Sequence, residues 1–185
     1  KLCKEKGILC IADEVMTGFG RTGKLFASEH MEEKPHIICL AKGLTGGTLP
    51  LAATVCTQDL YDAFLSEDKN KALLHGHSYT GNALGTASAI ANLELFEKPE
   101  TVNKIENLQS LNQEFKDTIK GSSELSRNVY EVRTQGTIAA VELKTQEISG
   151  YFNKISKKIS DAFLTQDILV RPLGNVLYFV PPYSS

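Results

Sequence analysis

The sequence has no long apolar run, no block of one charge and no closely spaced pair of cysteines, and each absence removes a class of function. No stretch approaches the roughly 18 apolar residues that a membrane span needs, so no membrane partner is expected. Twenty basic residues face 22 acidic ones, and the basic ones do not gather in one block with aromatics. Neither nucleic acid nor an anionic lipid surface is therefore expected as a partner. Cys3, Cys10, Cys39 and Cys56 show no C-x-x-C spacing. Cys10 and Cys39 lie inside apolar runs, which reads as buried free thiols in a reducing cytoplasm. Residues 1–7 are charged and precede a strand-like run, so no secretory leader is expected. With 185 residues and ordinary apolar content, the chain has material for one large domain or two small ones. Nothing in it suggests disorder, an internal repeat or a low-complexity tract.

What is present centres on Asp13 and Lys42. Asp13 closes the apolar run 8–12, and Lys42 closes a second run, 36–41. Short bounded runs of this kind predict buried strands of a parallel sheet, and open α/β sheets bind ligands at the carboxyl ends of their strands. A carboxylate and a primary amine at one rim suit pyridoxal phosphate: the amine forms a Schiff base with the aldehyde, and the carboxylate keeps the pyridine nitrogen protonated. A salt bridge between strand ends is the plainer alternative.

Two nucleotide motifs nearly fit the stretch after Asp13. Gly18, Gly20 and Gly23 match G-x-G-x-x-G, but the strand ends five residues too early and no acid stands near Gly43 for a ribose. Gly18, Gly23 and Lys24 approach a P-loop, but Leu25 occupies the place of the magnesium-binding hydroxyl. A glycine-permitted loop beside a site is the better reading. His75 and His77 form an H-x-H pair without further ligands at zinc spacing, so no metal is expected. The hydroxyls and glycines of residues 75–82 lead into a predicted helix over 82–97. They suit an anion site, and a capped turn with Asn82 satisfying free backbone donors is the alternative.

The organisation predicted is a partial large α/β domain over 1–98, a connecting helix over 99–121 and a small α+β domain over 122–185. Pro99 suits a first helical position, Val102, Ile105, Leu108, Phe115 and Ile119 share one face, and Gly121 is a natural stop. In the last part, strands are expected over 128–133, 137–143, 168–173 and 176–180, and a helix over 151–164 with Phe152, Ile155, Ile159 and Phe163 on its packed side. Arg171, inside an otherwise apolar strand, needs solvent or a carboxylate: a substrate acid, or a protein acid such as Glu142 or Asp167. Residues 1–7 resemble the last turns of a helix, so the chain is expected to begin inside an element and to lack an amino-terminal portion.

Three blocks carry a family resemblance: residues 12–27 (ADEVMTGFGRTGKLFA), 40–47 (LAKGLTGG) and 75–82 (HGHSYTGN). Together they resemble the class III, fold-type I, pyridoxal-phosphate-dependent aminotransferases. The third block and residues 170–183 (VRPLGNVLYFVPPY) are similar to the biotin-pathway branch of that family, which aminates 8-amino-7-oxononanoate to 7,8-diaminononanoate. The resemblance covers essentially the whole chain. It implies an α/β major domain with a mostly parallel sheet, followed by a small α+β domain.

The same resemblance assigns Lys42 to the Schiff base, Asp13 to the pyridine nitrogen, and Val15 to one face of the ring. Ser78 stands where the family often has a Thr that binds the cofactor phosphate across a subunit boundary, which implies a homodimer with a shared active site. Arg171 would take the substrate carboxylate, and Arg21 would lie near the substrate entrance. Family members extend beyond both ends of this chain, so it is expected to be a fragment. Alternatives left open are another class III ω-aminotransferase, acting on ornithine, 4-aminobutyrate or a similar amine, or a fragment serving only folding or dimerisation. The amino donor, S-adenosylmethionine or lysine, is not readable.

Overall fold

The computed structural model describes residues 1–185. They divide into two compact units, Lys1–Val102 and Asn103–Ser185.

The first unit opens with a single helical turn, α1 (Leu2–Glu5), which Gly7 ends at φ +62. Strand β1 (Ile11–Asp13) pairs in parallel with β2 (Ile37–Leu40), and β3 (Ala53–Cys56) runs antiparallel along the other side of β2. The connection, residues 41–52, holds only the 3₁₀ turn Lys42–Thr45 and no crossover helix, which suits an antiparallel return. A short helix, α2 (Gln58–Asp62), follows β3. The long helix α3 (Ala83–Phe96) then packs its buried Ala89 against Phe19, Leu40 and Leu44. Asn82 caps α3, its Oδ1 accepting the Gly85 N–H at 2.7 Å. A Cβ on Gly85 would meet that amide at 3.0 Å, so the small residue makes room for the cap. Asn82 is thus occupied in the way the capped-turn alternative anticipates.

The run containing β1 is less buried than its composition implies. Ile8, Leu9 and Ile11 are all more than half exposed, since within residues 1–185 β1 pairs only with β2. The cysteines are likewise not fully buried: Cys3, Cys10 and Cys39 are half-buried, Cys56 is exposed, and all four are free thiols.

Helix α4 (Pro99–Gly121) begins in the first unit and supplies the second with Ile105, Leu108 and Ile119. Val102, on the same predicted face, stays 44% exposed. After α5 (Ser123–Ser126), strands β4 (Val129–Gln135) and β5 (Ile138–Leu143) form a hairpin. Helix α6 (Ile155–Leu164) then intervenes before β6 (Val176–Phe179) completes an antiparallel sheet in the order β4, β5, β6. Val132 and Val141 on this sheet pack with Ile119, and the Phe115 and Phe179 rings meet edge to face at 5.9 Å.

Two expectations fail here. Residues 168–172 form no strand, and Leu173 makes only an isolated bridge with Val176. Beta6 already uses β5, the stretch has no other strand beside it, and Pro172 lacks a donor. Phe152 is 91% exposed and lies outside α6. The helix starts later because Asn153 fixes its entrance, its Oδ1 accepting the Ile155 N–H at 3.1 Å.

The turn before β6 depends on one glycine. Gly174 has φ +61, and a Cβ there would lie 2.7 Å from the Gly150 carbonyl carbon and against its oxygen. Beside it, buried Asn175 donates to the Leu143 carbonyl at 2.8 Å and accepts the Gly150 N–H at 3.0 Å. Gly174→Ala should therefore destabilise the second unit by about 2 kcal/mol or more, measured as a lowered urea midpoint.

Candidate active site

The parallel register sets Asp13 of β1 level with Cys39 of β2, and the Glu14 N–H extends the ladder to the Cys39 carbonyl at 2.9 Å. Lys42 follows three residues after Cys39, as the first residue of a 3₁₀ turn, Lys42–Thr45. Both side chains thus emerge from the carboxyl ends of adjacent parallel strands, where open α/β sheets bind ligands. Both are exposed and form no ion pair with each other, so the strand-end salt bridge does not account for them. Asp13 Oδ1 accepts the Val15 N–H at 3.0 Å. That bond orients the carboxylate and leaves Oδ2 available as an acceptor.

Glu14, which the sequence reading passed over, builds the loop that follows. It is 1% exposed. Its Oε2 accepts the Thr17 hydroxyl at 2.5 Å and the Ala27 N–H at 3.0 Å, and its Oε1 accepts the Ser28 N–H at 2.6 Å. Its own carbonyl accepts the Gly18 N–H at 2.9 Å, so close that a Cβ on Gly18 would be 2.8 Å from that oxygen. Burial is the largest single influence on the carboxyl and raises its pKa. The bonds from Thr17, Ser28 and Ala27 together outweigh it and hold the group below its ordinary 4.5.

A depressed folded-state pKa stabilises the fold at pH values above the unfolded pKa, and that contribution disappears as pH falls through the folded value. Glu14→Gln should cost about 2 kcal/mol at pH 7, since hydrogen bonds to a charged group are the strong ones. The gap from wild type should close as pH drops below the ordinary carboxylate range. Chemical denaturation at stepped pH measures both.

The glycine-rich loop is joined to the lysine turn by Phe19. Its side chain is 2% exposed, its backbone has φ +61, and a Cβ on Gly43 would sit 2.8 Å from its ring. Glycine at position 43 is therefore required by the approach of that ring. Lys42 itself has φ +47. A left-handed backbone at a residue with a Cβ costs about 1–2 kcal/mol, so the surroundings must impose it. They do so through Gly46 at φ +61, the Gly47 N–H donating to the Lys42 carbonyl at 3.1 Å, and two side chains of α3. Asn92 Nδ2 donates to the Gly43 carbonyl at 2.7 Å and the Leu44 carbonyl at 3.3 Å. Ser88, four residues earlier, reaches the Thr45 carbonyl at 3.3 Å and the Thr48 hydroxyl at 2.5 Å. Sequence carried a signal for this pair: two polar side chains at i, i+4 on a helix otherwise rich in small and apolar residues.

Lys42 opens onto a cleft of about 1020 Å³ within the first unit, whose walls include Thr48, His75, His77, Tyr79 and Asn82. The loop 75–82 is held by its own bonds, from the His77 N–H to the Thr80 hydroxyl at 3.2 Å and from Asn82 Nδ2 to the Tyr79 carbonyl at 3.2 Å. Ser78 is exposed between two lining residues and is not itself in the wall. Arg21 is half-buried in the glycine-rich loop, and Val15 is half-buried beside Asp13.

Arg171 belongs to the second unit and is exposed, in extended chain rather than in a strand. Neither acid proposed as its partner pairs with it. Glu142 instead binds Arg133 at 3.0 Å and the Ser149 hydroxyl at 2.6 Å. Ser149 and then Arg133 hold the Glu142 carboxyl below its ordinary range.

An α/β unit with a lysine and an aspartate at neighbouring parallel strand ends, followed by a small antiparallel unit, is the arrangement of a fold-type I aminotransferase. The chain belongs to the class III aminotransferases: the family model for aminotransferase class III matches residues 1–185. Adenosylmethionine-8-amino-7-oxononanoate aminotransferase of Methanocaldococcus jannaschii is 45% identical over 193 aligned positions, covering 100% of this chain and 41% of the relative. The crystal structure of an enzyme of that name from the same organism superposes with a TM-score of 0.86 at 42% identity, covering 98% of this chain and 43% of the other. A structure of ornithine aminotransferase from Toxoplasma gondii, described as having partial occupancy of pyridoxal phosphate at its active site, gives a TM-score of 0.79 at 29% identity. It covers 98% of this chain and 40% of the other. The chain thus spans about 41% of the length of the Methanocaldococcus relative.

Proposed function

We propose that the whole protein is a pyridoxal-phosphate-dependent aminotransferase of biotin biosynthesis, transferring an amino group to 8-amino-7-oxononanoate to give 7,8-diaminononanoate. The observation that carries this reading is the parallel register of β1 and β2, which brings a carboxylate and a primary amine out at adjacent strand ends. The 45% identity to the Methanocaldococcus enzyme supports the choice of substrate.

The donor set fits the cofactor. Lys42 offers an amine with no protein partner, on the wall of a cleft, and Asp13 offers a carboxylate oriented by Val15 with one oxygen spare. When bound, pyridoxal phosphate supplies the electron sink for cleaving a bond at the amine-bearing carbon. Asp13 Oδ2 would accept the hydrogen bond from the ring nitrogen and keep it protonated. Lys42 Nζ would hold the cofactor's aldehyde carbon and, once freed, carry the proton from one carbon to the other. Val15 would cover one face of the ring, and Arg171 would pair with the substrate carboxylate through its two-pronged guanidinium. Arg21 would line the approach. Ser78 would reach the cofactor phosphate of a second copy, making the enzyme a homodimer with shared sites.

In this reading residues 1–98 belong to the large cofactor domain, 99–121 connect, and 122–185 form part of the small domain. No helix is long and apolar enough to cross a membrane, and the cytoplasm is the proposed location. The test is to supply the whole protein with pyridoxal phosphate, 8-amino-7-oxononanoate and either S-adenosylmethionine or lysine. Product of the mass of 7,8-diaminononanoate is expected. Turnover of ornithine instead, in line with the likeness to the Toxoplasma enzyme, would replace the substrate assignment while keeping the reaction class.

A further inference from the structure

We propose that Asn92 is a positioning residue for Lys42, setting the direction in which the amine leaves the turn. The proposal rests on Lys42 being the cofactor-bearing lysine. Lys42 adopts a left-handed backbone that its own Cβ opposes, so the turn cannot be held by local preference alone. Its carbonyl is fixed by the Gly47 N–H, and the Gly46 N–H returns to the Gly43 carbonyl, both at 3.1 Å. The next peptides are gripped from outside. Asn92 Nδ2 reaches the Gly43 carbonyl at 2.7 Å and the Leu44 carbonyl at 3.3 Å.

The Gly43 carbonyl therefore has two donors, one from the turn and one from the helix, and the Gly43–Leu44 peptide, one beyond the peptide that follows Lys42, is held from both. Asn92 Oδ1 would be 3.0 Å from a Cβ on Gly46, so the side chain also fills the space under the left-handed end of the turn. Phe19 closes the opposite flank through its ring against Gly43. Remove the Asn92 donor, and the Gly43 carbonyl keeps only the turn's own Gly46 N–H, so the turn that sets the stem of Lys42 loses its anchor to the helix. A misplacement of the order of 1 Å at a reacting group is enough to cost about a hundredfold in rate.

Asn92→Ala removes the donor, and Asn92→Asp keeps the shape but turns an acceptor toward two carbonyl oxygens. Both variants of the whole protein should lose about ten- to a hundredfold in kcat, with the KM for 8-amino-7-oxononanoate changed by less than about threefold. Without cofactor, their Lys42 amine should differ from wild type in its acetylation rate, followed on the Lys42 peptide by mass spectrometry. Amide exchange over residues 43–47 should be faster. The control is Asn112→Ala, which removes an equivalent side-chain bond to a turn, from Asn112 Nδ2 to the Gly136 carbonyl at 3.0 Å, in the second unit. It should leave the Lys42 labelling rate unchanged.

Loss of stability without a change in Lys42 labelling or kcat, in whichever of the two Asn92 variants folds, would overturn the proposal. Should neither fold, wild-type amide exchange over 43–47 decides, because protection no greater than in the extended residues 169–171 would overturn it. If wild type itself forms no borohydride-reducible adduct between Lys42 and pyridoxal phosphate, the functional reading falls, which is a different failure.

Discussion

Lys42→Ala should abolish turnover in the whole protein, by at least about ten-thousandfold, because one side chain serves as both covalent anchor and proton carrier. The same substitution should remove the borohydride-reducible pyridoxal-phosphate adduct from the peptide containing position 42. Stability should hardly change. Lys42 is exposed and its amine bonds to no protein group, while Ala retains the Cβ that makes φ +47 costly. Lys42→Gly separates the two properties: equally inactive, yet more stable than Lys42→Ala by up to about 1 kcal/mol, since glycine takes the left-handed region freely. Thermal melts and steady-state kinetics on the pair measure this, and residual turnover in either variant would remove Lys42 from its assigned role.

Asp13→Asn should lower kcat by about a hundred- to a thousandfold, the usual range for deleting one aimed electrostatic contact. The amide oxygen can still accept the Val15 N–H that Asp13 Oδ1 accepts at 3.0 Å, so the side chain keeps its orientation and loses only its charge. Asp13→Ala removes both. A larger activity loss in the Ala variant than in the Asn variant, with melting temperatures within about 2 °C for both, is the expected pattern. Equal activity in Asp13→Asn and wild type would show that no protonated ring nitrogen depends on this carboxylate.

The elements were legible where period and punctuation agreed. Helix α4 starts at Pro99 and ends at Gly121 as the sequence indicates, and α3 begins after the Asn82 cap. The strand run 168–173 misled because an apolar, β-branched stretch predicts a strand only where a partner strand exists, and none lies beside it. Asp13 and Lys42 could be picked out because each closes an apolar run. What escaped was the support. Glu14 reads as one more acid beside Asp13, and its value comes from the Thr17, Ala27 and Ser28 donors that the loop folds back to it. Asn92 is far from Lys42 in sequence, and its reach to the lysine turn depends on how α3 docks. Of the two readings open for Arg171, pairing with Glu142 is closed for a similar reason: Arg133, across the β4–β5 ladder, already engages that acid.

The bond from Asn92 to the Gly43 carbonyl also has a kinetic side, since it joins residues 49 apart in sequence. Closing a chain loop of that length costs about 3 kcal/mol in entropy, and no hydrogen bond of this kind offsets that unaided. The lysine turn is therefore expected to settle into its left-handed shape together with the packing of α3 through Ala89 onto Leu40, Leu44 and Phe19. During refolding, the β1–β2 pair can form before the reactive amine has a direction. Partial unfolding should run in reverse: with α3 lifted away, the turn loses its outside anchor while the β1–β2 pair remains, so formation of the Lys42 adduct is expected to fail before the sheet melts.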